Sequence, residues 1–273
     1  MTGPRRRRVW VVGASSGIGA ALASELADRG AAVAVTARRR ERLEEVAAGR
    51  MVVAPADVTD ADALASAAQA VSEGLGGDPD VVVWCAGYWR RSDARSWDAE
   101  QFARHVQVNL LGLNALLDVV LPGMVRRGAG HLVGVASVAG FRGLPGSEAY
   151  GATKAAQLAL LESLRAALRP AGVRVTTVAP GFVRTEMTAV NTFPMPFLIE
   201  PEEAARAIAD GLERRRVEIV FPWQMALLAK AARLVPVRAW AALVAPRGRG
   251  AREDTGRRTP AGAAPGTGRA DPG

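Results

Sequence analysis

Cysteine, histidine, lysine and tyrosine are all scarce in this 273-residue chain. The one cysteine, Cys85, excludes an internal disulfide, and with only His105 and His131 beside it a Cys/His zinc site cannot be assembled. No window of about 20 residues is free of charge, which argues against a membrane-spanning helix. No apolar stretch of signal-peptide length follows the N-terminal arginines, which argues against secretion. No internal repeat stands out. Arginine supplies nearly all the positive charge, since Lys154 and Lys230 are the only lysines; Tyr88 and Tyr150 are the only tyrosines.

What is present is the composition of a folded protein, 49% hydrophobic and 23% charged, long enough to bury a large core. The formal charge of +8 suggests an anionic partner until its distribution is examined. Residues 5–8 are four arginines, and residues 246–273 carry six arginines against Glu253, Asp254 and Asp271. Residues 9–245 hold 25 basic and 24 acidic groups, a nearly neutral body that does not support a nucleic-acid groove. The chain therefore divides into a basic arm (1–8), a folded domain (9–222), an apolar and basic helical segment (223–245) and a Gly/Pro/Arg-rich tail (246–273) that reads as disordered.

Short β-branched runs alternate with helical patterns throughout the body. Strands are expected at Val9–Val12, Ala32–Thr36, Met51–Ala54, Val81–Trp84, His131–Ala136, Val173–Val178 and Val217–Phe221. Helices are expected between them, among them one long helix over Ala99–Val125, another over Ala149–Leu168, and one opened by Glu200-Pro201-Glu202-Glu203. Strands separated by helices of this length imply right-handed parallel crossovers. The fold class is α/β, a single-domain Rossmann-like doubly wound fold with a seven-stranded parallel sheet flanked by helices.

Directly after the first strand, Gly13-Ala14-Ser15-Ser16-Gly17-Ile18-Gly19 runs into a helix. Glycines so placed let a backbone turn tightly and approach a pyrophosphate held by the helix N-terminus; a plain strand–helix turn is the other reading. An acid at the end of the second strand would bind the ribose 2′-hydroxyl of NAD, but Arg38-Arg39-Arg40 stand there. Arg38 is assigned to a 2′-phosphate, favouring NADP(H) over NAD(H), while Arg39 and Arg40 read as the solvated start of a helix.

Tyr150 and Lys154 stand four apart on one helix face. A free phenol titrates too high for acid/base work at neutral pH, and a nearby ammonium lowers it; a half-buried tyrosine with a snorkelling lysine would have the same spacing. Ser137 closes the strand His131–Ala136 at the carboxyl edge, where a hydroxyl can meet a carbonyl. Asn109 interrupts a helix where its propensity is poor, and requires either a buried polar contact or a bound water.

The glycine loop, Asn109, Ser137, Tyr150 and Lys154, in this order and spacing, resemble the short-chain dehydrogenase/reductase family over roughly residues 7–222. The resemblance implies Tyr150 as the acid/base, Lys154 as its partner and a hold on the nicotinamide ribose, Ser137 as the group orienting the carbonyl, and Asn109 as the ligand of a water relaying protons to Lys154. It further implies an adenine contact at Asp57-Val58, a turn beside the cofactor at Cys85-Ala86-Gly87, and a loop over the nicotinamide at Pro180, Gly181, Val183 and Thr185. Two positions depart from the family pattern: Val12 replaces a threonine, and Trp84-Cys85 replace two asparagines, changes expected to alter stability more than chemistry.

On this reading the reaction is hydride transfer between a nicotinamide and an apolar ketone, aldehyde or secondary alcohol. Thr188–Ile199 lies where the family keeps its substrate lid, with Phe193, Met195, Phe197 and Leu198 as an apolar wall. Residues 223–245 fit either an interfacial helix touching a membrane peripherally or a helix packing on the lid or another subunit. The family implies a homodimer or homotetramer and a cytoplasmic protein. The rival reading is a catalytically silent NADP(H)-binding redox sensor, against which the intact Ser137, Tyr150 and Lys154 set argues.

Overall fold

A computed structural model describes residues 6–245; the expected disorder of the tail 246–273 and the first arginine of the basic arm lie outside them. In chain order the elements are β1 Arg8–Val12, α1 Gly17–Asp28, β2 Ala32–Thr36, α2 Arg40–Ala47, β3 Val52–Val53, α3 Ala61–Gly74 and β4 Val81–Trp84. Next come α4 Ala99–Val106, a π-turn at Gln107–Leu111, α5 Gly112–Arg127, β5 Gly130–Val135 and α6 Glu148–Leu168. The chain continues as β6 Val173–Pro180, α7 Glu186–Ala189, α8 Pro201–Glu213, β7 Glu218–Phe221, α9 Trp223–Leu234 and α10 Val237–Val244. All seven strands lie in one sheet, ordered β3-β2-β1-β4-β5-β6-β7 and parallel throughout. The order reverses between β1 and β4, which opens a crevice beyond their carboxyl ends.

Strands buried on both faces read as continuous apolar runs, as β1 and β4 do. One face packs Val9, Val11, Val33 and Val35 against α1, α2 and α8 through Leu22, Leu43 and Ile208. The other packs Trp10, Val12, Val82 and Trp84 against α3, α5 and α6 through Leu64, Leu113, Leu116 and Leu161. Trp10 is also hydrogen-bonded, its Nε1 donating to Thr36 Oγ1 at 2.9 Å while Thr36 donates to the Ala54 carbonyl at 2.8 Å, so one chain of polar contacts ties β1, β2 and the end of β3 together. The Trp84 indole N–H has no partner among the described residues, a cost of about 1–3 kcal/mol at a position where the family usually has asparagine.

His131, at the amino end of β5, is 2% exposed. Thr176 donates its hydroxyl proton to the Arg216 carbonyl at 2.8 Å, so the His131 Nε2–H donates to Thr176 Oγ1 at 2.8 Å and Nδ1 accepts from Arg7 Nη2 at 3.2 Å. The ring is a neutral, fully satisfied core histidine.

Two elements differ from the sequence expectation. The long helix continues from Ala99 to Arg127 but widens at Gln107–Leu111, where Gly112 N–H bonds the Gln107 carbonyl five residues back. It is long and apolar enough by composition to cross a membrane, yet Leu113, Leu116, Leu117, Val120 and Met124 pack it onto the sheet. The C-terminal segment is two helices, because Pro236 cannot continue α9. It docks by Trp240 Nε1 donating to the Gly143 carbonyl at 2.8 Å and Arg142 Nη2 donating to the Val235 carbonyl at 2.6 Å.

Candidate active site

The carboxyl ends of β1, β2, β4, β5 and β6 border one cleft of about 470 Å³. Its floor is the glycine loop. Gly13 sits at φ +90°, and a Cβ there would come within 2.3 Å of Ala86 N; a Cβ on Gly19 would come within 2.2 Å of the Gly13 carbonyl. Only glycine lets β1 and the turn Cys85-Ala86-Gly87 approach this closely. Ser15, Ser16 and Ile18 line the same floor, where the first N–H groups of α1 have no helical partner, and the backbone cradle and its free donors fit a pyrophosphate.

Arg38 lines the end of the cleft beside β2 and lies 3.9 Å from Asp57. Burial alone would push Asp57 up, but hydrogen bonds from the Thr59 N–H and hydroxyl, with Arg38 and Arg104, hold its carboxyl below the usual range. Arg39 is exposed at the start of α2, as expected, and it also reaches the glycine loop. Its Nη2 donates to Ser15 Oγ at 3.3 Å, Ser16 Oγ at 3.4 Å and Glu186 Oε2 at 3.1 Å, which places it at the edge of the glycine loop. Consecutive residues leaving a strand diverge, so Arg38 and Arg39 flank the same space; the sequence offered no signal for the second. Val58, Cys85, Ala86, Gly87, Pro180, Gly181, Val183 and Thr185 all border the cleft. Burial pushes the Cys85 thiol up to about 12, which suits a structural residue and not a nucleophile.

The polar end of the cleft gathers Ser137, Tyr150 and Lys154. Ser137 caps the short turn Val138–Gly140 by accepting from Ala139 N–H at 3.1 Å. Burial pushes the Tyr150 phenol up to about 12, with a hydrogen bond from Ser137 acting the other way. Lys154 lies one turn along α6 from Tyr150, on the cleft side of the helix. Its ammonium lies 5.6 Å from the Tyr150 ring centroid and donates to the Val135 carbonyl at 3.0 Å and Gln157 Oε1 at 2.9 Å. Burial in turn pulls Lys154 down to about 8.

Asn109 is fully buried in the π-turn. Its Oδ1 accepts from Tyr88 N–H at 2.7 Å, and its Nδ2 donates to the Tyr88 carbonyl at 3.1 Å and Thr153 Oγ1 at 2.9 Å. The side chain therefore clamps the loop after β4 to α6. The Asn109 carbonyl accepts from Gln157 Nε2 at 2.7 Å. Gln157 went unmarked in the sequence, although its place one turn beyond Lys154 was a usable signal.

Beside Tyr150 a recess is lined by Tyr88, Trp89, Arg90, Arg91 and the segment Val190–Phe193. The Trp89 ring meets Tyr150 edge-on at 5.1 Å, and its Nε1 donates to Asn191 Oδ1 at 3.0 Å, tying the recess to the lid. Below it, His105 is neutral: Nδ1–H donates to the Gln101 carbonyl at 2.8 Å, Nε2 accepts from Arg90 N–H at 3.2 Å, and burial holds its pKa down. The lid is pinned at its base by the pairing of Val183 with Ile199. Phe193 faces the recess and stacks edge-on with Phe182 at 6.1 Å. Phe197 does not: it makes a turn with Pro196, takes φ +57°, and its ring turns outward, 45% exposed.

Comparison with known proteins adds three findings. The family model described as short chain dehydrogenase matches residues 7–193. An uncharacterized oxidoreductase of Myxococcus xanthus is 44% identical over 236 residues, covering 84% of this chain and 93% of that protein. Among solved structures, a short-chain dehydrogenase of Burkholderia cenocepacia in complex with NADP superposes with a TM-score of 0.78 at 28% identity, covering 89% of this chain and 98% of that one. A short-chain dehydrogenase of Sphingobium yanoikuyae in complex with NADPH gives 0.73 at 32% identity, covering 82% and 91%.

Proposed function

Since the chain belongs to the short-chain dehydrogenase/reductase family and is an oxidoreductase that binds a nicotinamide cofactor, we propose that it reduces apolar ketones or aldehydes with NADPH, using Tyr150 as the proton donor. The observation that carries this reading is the Tyr150 phenol beside Ser137, at the one place where the glycine-floored cleft meets an aromatic recess. Burial keeps the phenol protonated in the neutral range, and the neighbouring ammonium and the Ser137 hydroxyl favour its release of that proton to a carbonyl oxygen.

The bound nicotinamide supplies a hydride to the carbonyl carbon. Tyr150 gives its hydroxyl proton to the carbonyl oxygen, and Ser137 holds that oxygen by a hydrogen bond as negative charge develops. The Lys154 ammonium stabilises the phenolate left behind and, bordering the cleft, would hold the nicotinamide ribose. Trp89 and Phe193 give the recess its apolar walls and exclude water. Arg38 and Arg39 together fit a 2′-phosphate, a charge that NAD lacks.

The test is NADPH oxidation over a panel of aldehydes and ketones, with cofactor binding followed by fluorescence. Wild type should turn over and bind; Tyr150→Phe should bind and not turn over. If both bind and neither reacts with any carbonyl, the sensor reading replaces the enzyme. Arg38→Asp should move the preference toward NADH, and an unchanged NADPH/NADH ratio refutes that assignment.

Assembly and location belong to the same proposal. The outward residues of α6, Ala152, Ala155, Ala156 and Ala159, are small and exposed, which supports pairing of two copies in a cytoplasmic homodimer or homotetramer. Trp223, Leu227, Leu228, Leu234 and Val237 are exposed beside Arg233 and Arg238, which supports peripheral contact with an anionic membrane, readable by sedimentation with phosphatidylserine vesicles.

A further inference from the structure

Gln157 is 1% exposed, and both ends of its carboxamide are engaged. Oε1 accepts from Lys154 Nζ at 2.9 Å, and Nε2 donates to the Asn109 carbonyl at 2.7 Å. We propose that Gln157 is a positioning residue of this active site, its carboxamide bridging the Asn109 carbonyl to the Lys154 ammonium and so fixing that ammonium against Tyr150 and the cofactor cleft. The inference rests on the assignment of Lys154 as the partner of Tyr150.

The geometry requires a polar group here. The π-turn leaves the Asn109 carbonyl pointing across to α6, and a buried carbonyl without a donor costs about 1–3 kcal/mol. A water would satisfy it, accept from the ammonium and exchange protons with both. A carboxamide makes the same two hydrogen bonds, but neither its N–H nor its oxygen titrates. The link is thus a brace and not a path for protons. With Val135 and Gln157 taking two of its three protons, the ammonium has a single N–H left to present.

The groups facing Lys154 are few. Tyr150 lies on its own helix, Cys85 at the end of β4, and His105 of α4 stands beyond Tyr150, their rings 6.5 Å apart. No carboxylate pairs with it among the described residues. Burial already holds the ammonium near 8, so loss or gain of one hydrogen-bonding partner moves its titration measurably.

The chain's two lysines make that titration directly readable. With lysine labelled at Cε with carbon-13, NMR resolves Lys154 from Lys230, which is exposed, paired with Glu218 at 2.7 Å, and serves as the internal reference. Gln157→Glu should raise the Lys154 midpoint and Gln157→Leu should lower it, each leaving Lys230 in place. Gln157→Met serves the same purpose if the leucine variant fails to fold. In turnover, the leucine variant should lose about tenfold to a hundredfold in kcat, with the substrate KM little changed. A Lys154 midpoint that is the same in all three proteins, or moves in one direction in both variants, overturns the proposal. If the midpoints move as expected while wild type oxidises NADPH with no carbonyl, the positioning role stands and the reductase reading falls.

Discussion

His131 should make the fold sensitive to mild acid. Its ring is held neutral by burial, with Arg174 and Arg7 adding repulsion against a second proton, and its pKa falls from the ordinary 6.5 to about 3. In the unfolded chain the ring accepts a proton near 6.5; in the folded chain Nδ1 is occupied by a guanidinium and does not. The unfolded state therefore binds more protons between these limits, and stability falls as the pH falls. The contribution is complete above about pH 6.5 and disappears progressively toward pH 3. At pH 5 the unfolded chain has gained about one and a half units' worth of protonation, or about 2 kcal/mol at 1.36 kcal/mol per unit. Urea unfolding of wild type and His131→Gln at pH 8 and pH 5, at one protein concentration, isolates the term, because carboxylate titration is common to both. Wild type should lose about 2 kcal/mol more than the variant between the two pH values. Equal losses would show that the ring is protonated in the fold and that the Arg7 contact is not what the geometry implies.

Gly13→Ala should abolish NADPH binding by fluorescence titration and lower stability by about 1–3 kcal/mol, because its Cβ would overlap Ala86 N at a positive φ. Arg39→Ala should weaken NADPH binding by tenfold or more and leave NADH binding unchanged, since a hydrogen bond to a charged group contributes about 1.5–3 kcal/mol; equal effects on both cofactors would remove Arg39 from the 2′-phosphate. Iodoacetamide at pH 8 should modify Cys85 far more slowly in the folded enzyme than in urea, mass spectrometry giving the count; labelling at equal rates would contradict a thiol held near 12.

The sheet was legible because its strands are buried on both faces, leaving runs such as Val81–Trp84 with no polar interruption. The Tyr150–Lys154 spacing and the glycine loop were legible for a similar reason: each is local in sequence. What escaped depends on backbone detail. The apolar spacing runs unbroken across Gln107–Leu111, so nothing in the pattern marks the widened turn. Phe197 belongs by composition to an apolar wall, and only the turn it makes with Pro196, at a left-handed backbone, leaves it exposed. Gln157 carries a residue type that usually sits on a helix surface, and its partner on the π-turn is 48 residues away. Arg39 differs from Arg38 only in the direction its side chain leaves the strand end.

The π-turn also limits how this helix can be edited. Each residue of an α-helix advances roughly 100° around the axis. The extra residue within Gln107–Leu111 sets the two halves of Ala99–Arg127 out of step by that angle, Asn109 turned to the loop after β4 and Leu113, Leu116 and Val120 turned to the sheet. Deleting one residue there would restore a regular helix and swing one half away from its partners. Insertions and deletions tolerated in a loop are thus forbidden in these five positions, and the spacing between the asparagine and the leucine stripe is as much a part of the site as the residues themselves.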